Sequence, residues 1–245
     1  MRKIILIYIL LCGCISCKSQ EFNVHQMVTF DEKVFENWKV DKKDFAFPQP
    51  DKYLKKGNKR IHIQYNRDFI SVIASDIITP YEYISAYDLH TKQQVAKGQL
   101  FYYSEFGIWE YYDQNGKIVN QINYDTLCKF SIEDVVQKIK KEYNANLLDK
   151  TNLATLQRAN NKDGQYYMEM SPERKKTYKE HFYYIVIFNS KEDRTKRDNF
   201  IILDGDMGSI LYDFKRDGVL KDSNKGWNPL DNLLEQIDKE KWMVF

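Results

Sequence analysis

The stretch GIWEYYDQNGKIVNQINY, residues 107–124, carries the clearest structural signal in this chain of 245 residues. Apolar and aromatic residues flank Asn115-Gly116, a dipeptide that tolerates the positive φ angles of a type I′ turn. The sequence therefore predicts a β-hairpin closed by a two-residue turn. Alternation of apolar and polar residues extends back to Arg60, which predicts further antiparallel strands leading into this hairpin.

The register of the predicted hairpin pairs aromatic residues with β-branched ones. Trp109 faces Ile122, and Tyr112 faces Val119. Each such pair contributes about 0.2–1 kcal/mol to the stability of a sheet. Because aromatic residues dominate interface hot spots, Trp109, Tyr111 and Tyr112 are predicted to form a protein-binding surface. The alternative is that this aromatic stripe lies half in the core.

The hairpin resembles the MORN-variant repeats found in many bacterial lipoproteins and in a class of antitoxin-type proteins. The residues that match the repeat are Gly107, Trp109, Tyr112, Asp113, Gly116 and Lys117. A fainter copy lies 25 residues earlier, where Tyr87-Asp88 and Lys92 align with the later motif. The resemblance implies stacked hairpins and specifies no activity. Since few copies are present, a neighbouring sheet is expected to complete the core.

The second half of the chain predicts an α+β arrangement. Ser131 and Asp134 form a capping-box pattern before an amphipathic helix. Residues 182–188 are apolar on both faces, as in a central strand. A final amphipathic helix is predicted from Asn228-Pro229 to near Trp242. The predicted fold class is therefore α+β: an antiparallel hairpin and meander region, followed by an antiparallel sheet packed with an amphipathic helix and a C-terminal helix.

This half resembles the PepSY-like domains of secreted bacterial proteins. The resemblance spans about residues 131–214 and rests on the helix, the apolar strand, and Asp204 followed four residues later by Gly208. It implies a small binding or inhibitory module without catalytic residues.

The N-terminus has the pattern of a bacterial lipoprotein signal peptide. Arg2 and Lys3 precede an apolar run of eight residues, which is too short to span a membrane. Cys17 is the predicted lipidation site because a polar segment begins directly after it. Cys14 is an alternative acceptor, and an ordinary secretory signal is the alternative for the whole segment.

These patterns divide the chain into four segments. They are a signal peptide with its lipidation site at 1–17, an N-terminal strap or linker at 18–60, a β-hairpin region at 61–127, and a PepSY-like α+β domain at 128–245. The composition, with 43% hydrophobic and 29% charged residues, excludes a disordered or collagen-like chain. A formal net charge of +2 gives no basic arm for nucleic acid.

Few residues have the pattern of a catalytic or metal-binding site. Asp204 and Asp206 have the spacing of a metal-binding pair, but Asp and Gly are also what a tight turn needs. The four histidines are scattered, and Cys128 is predicted to be a small buried hydrophobe. No cofactor or metal is predicted, and the chain is predicted not to be an enzyme.

The expected function is that of a lipid-anchored, non-catalytic binding module of the bacterial cell envelope, with the outer membrane as the expected site. The expected partner is an envelope or secreted protein, and the family resemblance suggests an immunity or inhibitor protein against a toxin or a peptidase. The alternatives are an enzyme that acts on envelope glycans through Asp204 and Asp206, and a structural envelope component.

Replacing both Cys14 and Cys17 by serine is expected to release the protein from the membrane, because each buried CH₂ of a lipid chain contributes about 0.8 kcal/mol to anchoring. Fractionation of cells into soluble and detergent-extracted membrane material measures this. The unaltered chain is the control. A doubly substituted chain that stays fully in the membrane fraction would contradict the lipid anchor.

Overall fold

The computed structural model describes residues 27–41, 51–162, 168, 170–177, 179–189 and 199–215. These residues form two antiparallel sheets and two α-helices, so the predicted α+β class is confirmed. The strands are β1 (Lys39–Val40), β2 (Lys52–Lys56), β3 (Lys59–Tyr65), β4 (Phe69–Asp76), β5 (Tyr81–Asp88), β6 (Gln94–Phe101), β7 (Ser104–Tyr112), β8 (Ile118–Asn123), β9 (Thr155–Asn160), β10 (Phe182–Phe188), β11 (Asn199–Asp204) and β12 (Ile210–Lys215). The helices are α1 (Ile132–Tyr143) and α2 (Pro172–Thr177).

The first sheet is a meander in which β1 to β8 lie side by side in chain order. All neighbouring strands run antiparallel. The sheet begins before residue 61, because β1 and β2 lie within the segment 18–60 that the sequence assigned to a strap. The hairpin of residues 107–124 forms its last two strands.

The pairing of β7 with β8 departs from the prediction near the turn. Trp109 faces Ile122, as predicted. The prediction that Tyr112 faces Val119 is wrong, because Tyr112 faces Ile118 and the register shifts by one residue next to it. Val119 is therefore the extra residue of a β-bulge in β8.

The turn itself is built on Asp113 rather than on a two-residue type I′ geometry. The Asp113 carboxylate accepts the backbone N–H groups of Asn115 and Lys117, both at 2.9 Å. Gly116 takes a φ of 75°, whereas Asn115 is not among the residues with positive φ. A type I′ turn needs positive φ at both central residues, so that prediction is wrong.

The N-terminal part of the described chain covers one face of the first sheet. Phe30 and Phe35 are buried there against Ile63, Val72 and Tyr87. The strands thus gain a hydrophobic layer from a segment that precedes them in the chain. This layer gives the meander its own core.

The second sheet has the strand order β12-β11-β10-β9, so the predicted central position of residues 182–188 is confirmed. Helix α1 packs on this sheet through its apolar face. The buried residues of that face are Ile132, Val135, Val136 and Ile139. The capping box is also confirmed, since the Ser131 and Asp134 side chains each accept a backbone N–H of the other residue.

The two sheets meet in one hydrophobic core. Phe101 and Tyr102, at the end of β6, are buried in the same cluster as α1 and β10. The Tyr102 hydroxyl donates to the carbonyl of Leu147 at 2.8 Å, and the Arg158 N–H donates to Ser104 Oγ at 2.7 Å. The second sheet therefore shares a core with one part of the meander, separate from the core that Phe30 and Phe35 cover.

Several predicted features lie outside the described residues. They are the signal peptide, both candidate acceptors Cys14 and Cys17, and the final helix after Asn228-Pro229. Within the described ranges, no helix is both long and apolar enough to cross a bilayer.

Replacing Ser131 by alanine is expected to lower the free energy of unfolding by about 1 kcal/mol, because the first turn of α1 loses its N-cap acceptor. Urea denaturation followed by circular dichroism measures the change. Ser75→Ala, on β4 of the other sheet, where the hydroxyl is in no hydrogen bond to the described residues, serves as the comparison. A Ser131→Ala midpoint equal to that of the unaltered protein would contradict this assignment.

Candidate interaction surface

The predicted binding residue Trp109 is seated on a glycine of the neighbouring strand. A Cβ added to Gly98 would lie 2.1 Å from the Trp109 ring, so only glycine allows this contact. The indole N–H donates to the carbonyl of Gln99 at 3.1 Å. The indole is thereby fixed over β6 by packing and by one hydrogen bond.

A bulge in β7 brings Trp109 to this position. The register of β6 with β7 shifts between Lys97 and Gln99. Gly107, within the bulged stretch, has a φ of 65°, which favours glycine. Its N–H donates to the Asp125 carboxylate at 2.9 Å, which ties the bulge to the chain that follows β8.

The face of the sheet that carries Trp109 is aromatic. The rings of Trp109 and Tyr124 meet edge to face, with centroids 6.0 Å apart. Tyr111 lies two residues further along β7, on the same face and near Tyr124. Burial raises the pKa of the Tyr124 hydroxyl above its ordinary value, and the nearby Tyr111 and Glu105 raise it further.

The opposite face of the hairpin is polar and centred on Glu110. Its carboxylate pairs with Lys97 Nζ at 2.8 Å and accepts from the Tyr112 hydroxyl at 2.5 Å and from Gln121 Nε2 at 3.0 Å. Hydrogen bonds from Lys97 and then Tyr112 hold the pKa of the Glu110 carboxyl below its ordinary value. This network locks the two strands together on their polar side.

The three predicted binding residues therefore do not share one surface. Trp109 and Tyr111 lie on the aromatic face, whereas Tyr112 lies on the polar face with Glu110. Adjacent residues of a strand point to opposite faces, so Tyr111 and Tyr112 cannot act on the same side of the sheet. Each of the three is half-buried rather than fully exposed.

Exposed apolar residues lie at the outer edge of the hairpin, which the sequence reasoning missed. On the edge strand β8, Ile118 and Val119 expose 43% and 62% of their surfaces, and Ile108 on the neighbouring β7 exposes 54%. Within the described part of the chain, the only strand beside β8 is β7. The sequence signal that could have revealed this edge is the uncharged, proline-free run Ile118–Asn123.

The fainter repeat copy forms a turn of the same kind. The Asp88 carboxylate accepts the N–H groups of His90 and Thr91 at 2.9 and 2.7 Å, much as Asp113 accepts that of Asn115. The Asp88 N–H donates to the Gln93 carbonyl, whereas the Asp113 N–H donates to that of Lys117, so the earlier turn is one residue longer. Lys92, with a φ of 62°, precedes Gln93 as Gly116 precedes Lys117, and the 25-residue alignment of Lys92 with Lys117 does not hold in the turn. An aspartate at the end of the incoming strand thus organises both turns.

Asp204 also builds a turn. It is buried, and its Oδ1 accepts the N–H groups of Asp206 and Met207, both at 2.8 Å. Its Oδ2 lies 3.2 Å from Nε2 of the buried His181. The turn therefore uses both carboxylate oxygens of this residue.

The two carboxylates of the alternative enzyme hypothesis do not converge. Asp204 is buried, whereas the Asp206 side chain is 43% exposed and lies 3.3 Å from Lys129 Nζ. Among the described residues, no group of three or more His, Cys, Asp or Glu side chains is arranged to hold a metal ion.

Cys128 lies in the core beneath the Asp204 turn. It is 4% exposed, and a Cβ on Gly205 would lie 2.9 Å from its Sγ. Burial raises the pKa of this thiol, which disfavours the reactive thiolate. The arrangement is that of a packed apolar side chain.

Comparison with protein-family models, curated proteins and solved structures finds no match to this chain. The function is therefore inferred from the geometry of the described residues and from the sequence patterns.

In a chain whose three N-terminal cysteines are replaced by serine, the Cys128 thiol is expected to react with a disulfide reagent at least about 1,000-fold more slowly when folded than in urea, because reaction requires unfolding. Absorbance of the released thiolate measures the rate. The same chain in urea is the control. Fast reaction of the native protein would show that Cys128 is accessible.

Proposed function

We propose that this protein is a lipid-anchored, non-catalytic binding module of the bacterial cell envelope, and that it binds an envelope or secreted protein through the β7–β8 hairpin. The observation that carries the proposal is the hairpin's outer edge, where Ile118 and Val119 are exposed on a strand, β8, with no charged residue. Exposed apolar groups on a sheet edge favour association with another chain.

The hairpin is well suited to binding because it is rigid before a partner arrives. Trp109 is held on Gly98, and Glu110 joins Lys97 in β6 to Gln121 in β8. When a partner docks on a preorganised surface, the protein loses less conformational entropy than it would if binding had to order a loop. More of the interaction free energy of the contacts therefore contributes to affinity.

Sequence patterns support the lipid anchor and the class of partner in this proposal. The lipoprotein signal supports attachment through Cys17, and the mature chain has equal numbers of basic and acidic residues once Arg2 and Lys3 are removed. Attraction to anionic lipid is then not required for localisation. The resemblance to antitoxin-type repeats and PepSY-like domains favours a toxin or a peptidase as the partner.

Photo-crosslinking in intact cells tests the proposal. A photoactivatable residue at Val119, which is 62% exposed, is expected to form an adduct with a defined envelope or secreted protein. The matched control is Val40, 53% exposed on β1 at the other edge of the same sheet, which is expected to give no such adduct. Mass spectrometry of the adduct identifies the partner.

The adduct also separates the alternatives. A toxin or a peptidase supports an inhibitory role, whereas a set of other lipoproteins supports a structural role. Equal adducts at Val119 and Val40, or none at either position, would contradict binding through the hairpin.

A further inference from the structure

We infer that β8 binds its partner by strand addition, in which an extended, uncharged segment of the partner pairs with the backbone of β8 around Gln121, along the edge that no described strand covers. This inference rests on the proposed function and specifies how the same hairpin binds. The partner segment is expected to be rich in β-branched and amide side chains.

The two edges of the first sheet differ in a way that points to β8. Natural sheets protect their edges with short strands, lysines and prolines. The edge strand β1 has two residues, includes Lys39, and pairs with the lysine-rich β2. β8 has six residues and carries neither a charge nor a proline. Among the described strands, the edge that can extend the sheet is therefore β8.

Hydrogen-bond alternation identifies the backbone groups that point outward. The Asp113 N–H donates to the Lys117 carbonyl at 2.9 Å, which makes these two residues a hydrogen-bonded pair. Hydrogen-bonded and non-hydrogen-bonded pairs alternate along antiparallel strands. Starting from Asp113 and moving back along β7, every second residue belongs to a hydrogen-bonded pair. These residues are Tyr111 and Trp109, whereas Glu110, between them, belongs to a non-hydrogen-bonded pair.

The partner of Glu110 in β8 is Gln121, so its N–H and C=O point away from β7. The same holds for Asn123, which lies opposite Ile108. Ile122, opposite Trp109, directs its backbone groups toward β7 instead. The Asn123 carbonyl already accepts from Thr126 Oγ1 at 2.7 Å. An added strand would thus find the N–H and C=O of Gln121 and the N–H of Asn123 on the regular part of β8, beyond the bulge at Val119.

The charges around β8 favour an uncharged partner segment. The nearest carboxylate on β7, that of Glu110, is already bound by Lys97, Tyr112 and Gln121. The exposed charges of Lys117 and Asp125 lie just outside the two ends of β8. Between them, a charged partner side chain opposite Gln121 would lose hydration on docking without an uncompensated charge of β8 to pair with. The exposed Ile118 and Val119 instead offer contacts to apolar side chains. Binding is therefore expected to depend little on salt.

The probe for the test is a capped synthetic peptide with the sequence VTQVNT, which belongs to the expected chemical class and does not occur in this chain. Its affinity for the full-length protein in detergent is measured by fluorescence anisotropy. Gln121→Pro removes one outward N–H and blocks the approach of a strand, and should weaken binding by about tenfold or more. Gln121→Ala loses the same side-chain hydrogen bond to Glu110 but keeps the backbone N–H, so it is the reference against which the weakening in Gln121→Pro is measured.

Ile122→Pro is the folding control, because it removes an inward N–H that pairs with β7. It should destabilise the hairpin, whereas Gln121→Pro should retain the circular dichroism spectrum of the unaltered protein. If Gln121→Pro also loses that spectrum, the same peptide with alternate N-methylated amides replaces the variant, and it should fail to bind.

Three results would overturn strand addition. They are no saturable binding of the peptide at millimolar concentration, equal binding by folded Gln121→Pro, and a self-dimer of the unaltered protein that Gln121→Pro dissolves. The last result assigns the edge to a second copy of the chain. A Val119 adduct without peptide binding would leave the proposed function intact and exclude only this mode.

Discussion

The close contact of the Trp109 indole with Gly98 is the constraint on which the hairpin depends. Any side chain at position 98 would overlap the indole, since even a Cβ would lie 2.1 Å from it. The contact coincides with the bulge that begins at Gly107, and it sets where β7 resumes regular pairing and meets β8. The aromatic face, the polar network of Glu110 and the exposed edge all follow from that placement.

Aspartates in this chain serve mainly to shape the backbone. Asp88, Asp113 and Asp204 each accept the N–H of the residue two positions later, at 2.8–2.9 Å. In each case the carboxylate satisfies backbone donors that a tight turn leaves unpaired. The Asp-x-Asp pattern at residues 204–206 has the same physical origin, which explains why its two carboxylates diverge.

Local signals predicted the local structure well. The capping box at Ser131, the apolar strand at residues 182–188 and the hairpin were all readable because each depends on neighbouring residues. The turn type was missed because the Asp113 side chain, rather than Asn115-Gly116 alone, sets its hydrogen bonds. The first-sheet layer formed by residues 27–38 was missed because it depends on contacts distant in sequence.

The binding surface was predicted only in part for the same reason. Aromatic content identified the hairpin, but a bulge decides which side chains share a face, and strand order decides which strand is an edge. The position of β8 at the edge depends on the whole meander and cannot be derived from residues 118–123 by themselves. Hydrogen exchange of Gly98→Ala measured by mass spectrometry tests the central claim most directly. Exchange is predicted to accelerate across residues 104–123 while residues 182–188 and 199–204 stay protected, and unchanged exchange across the hairpin would contradict the account.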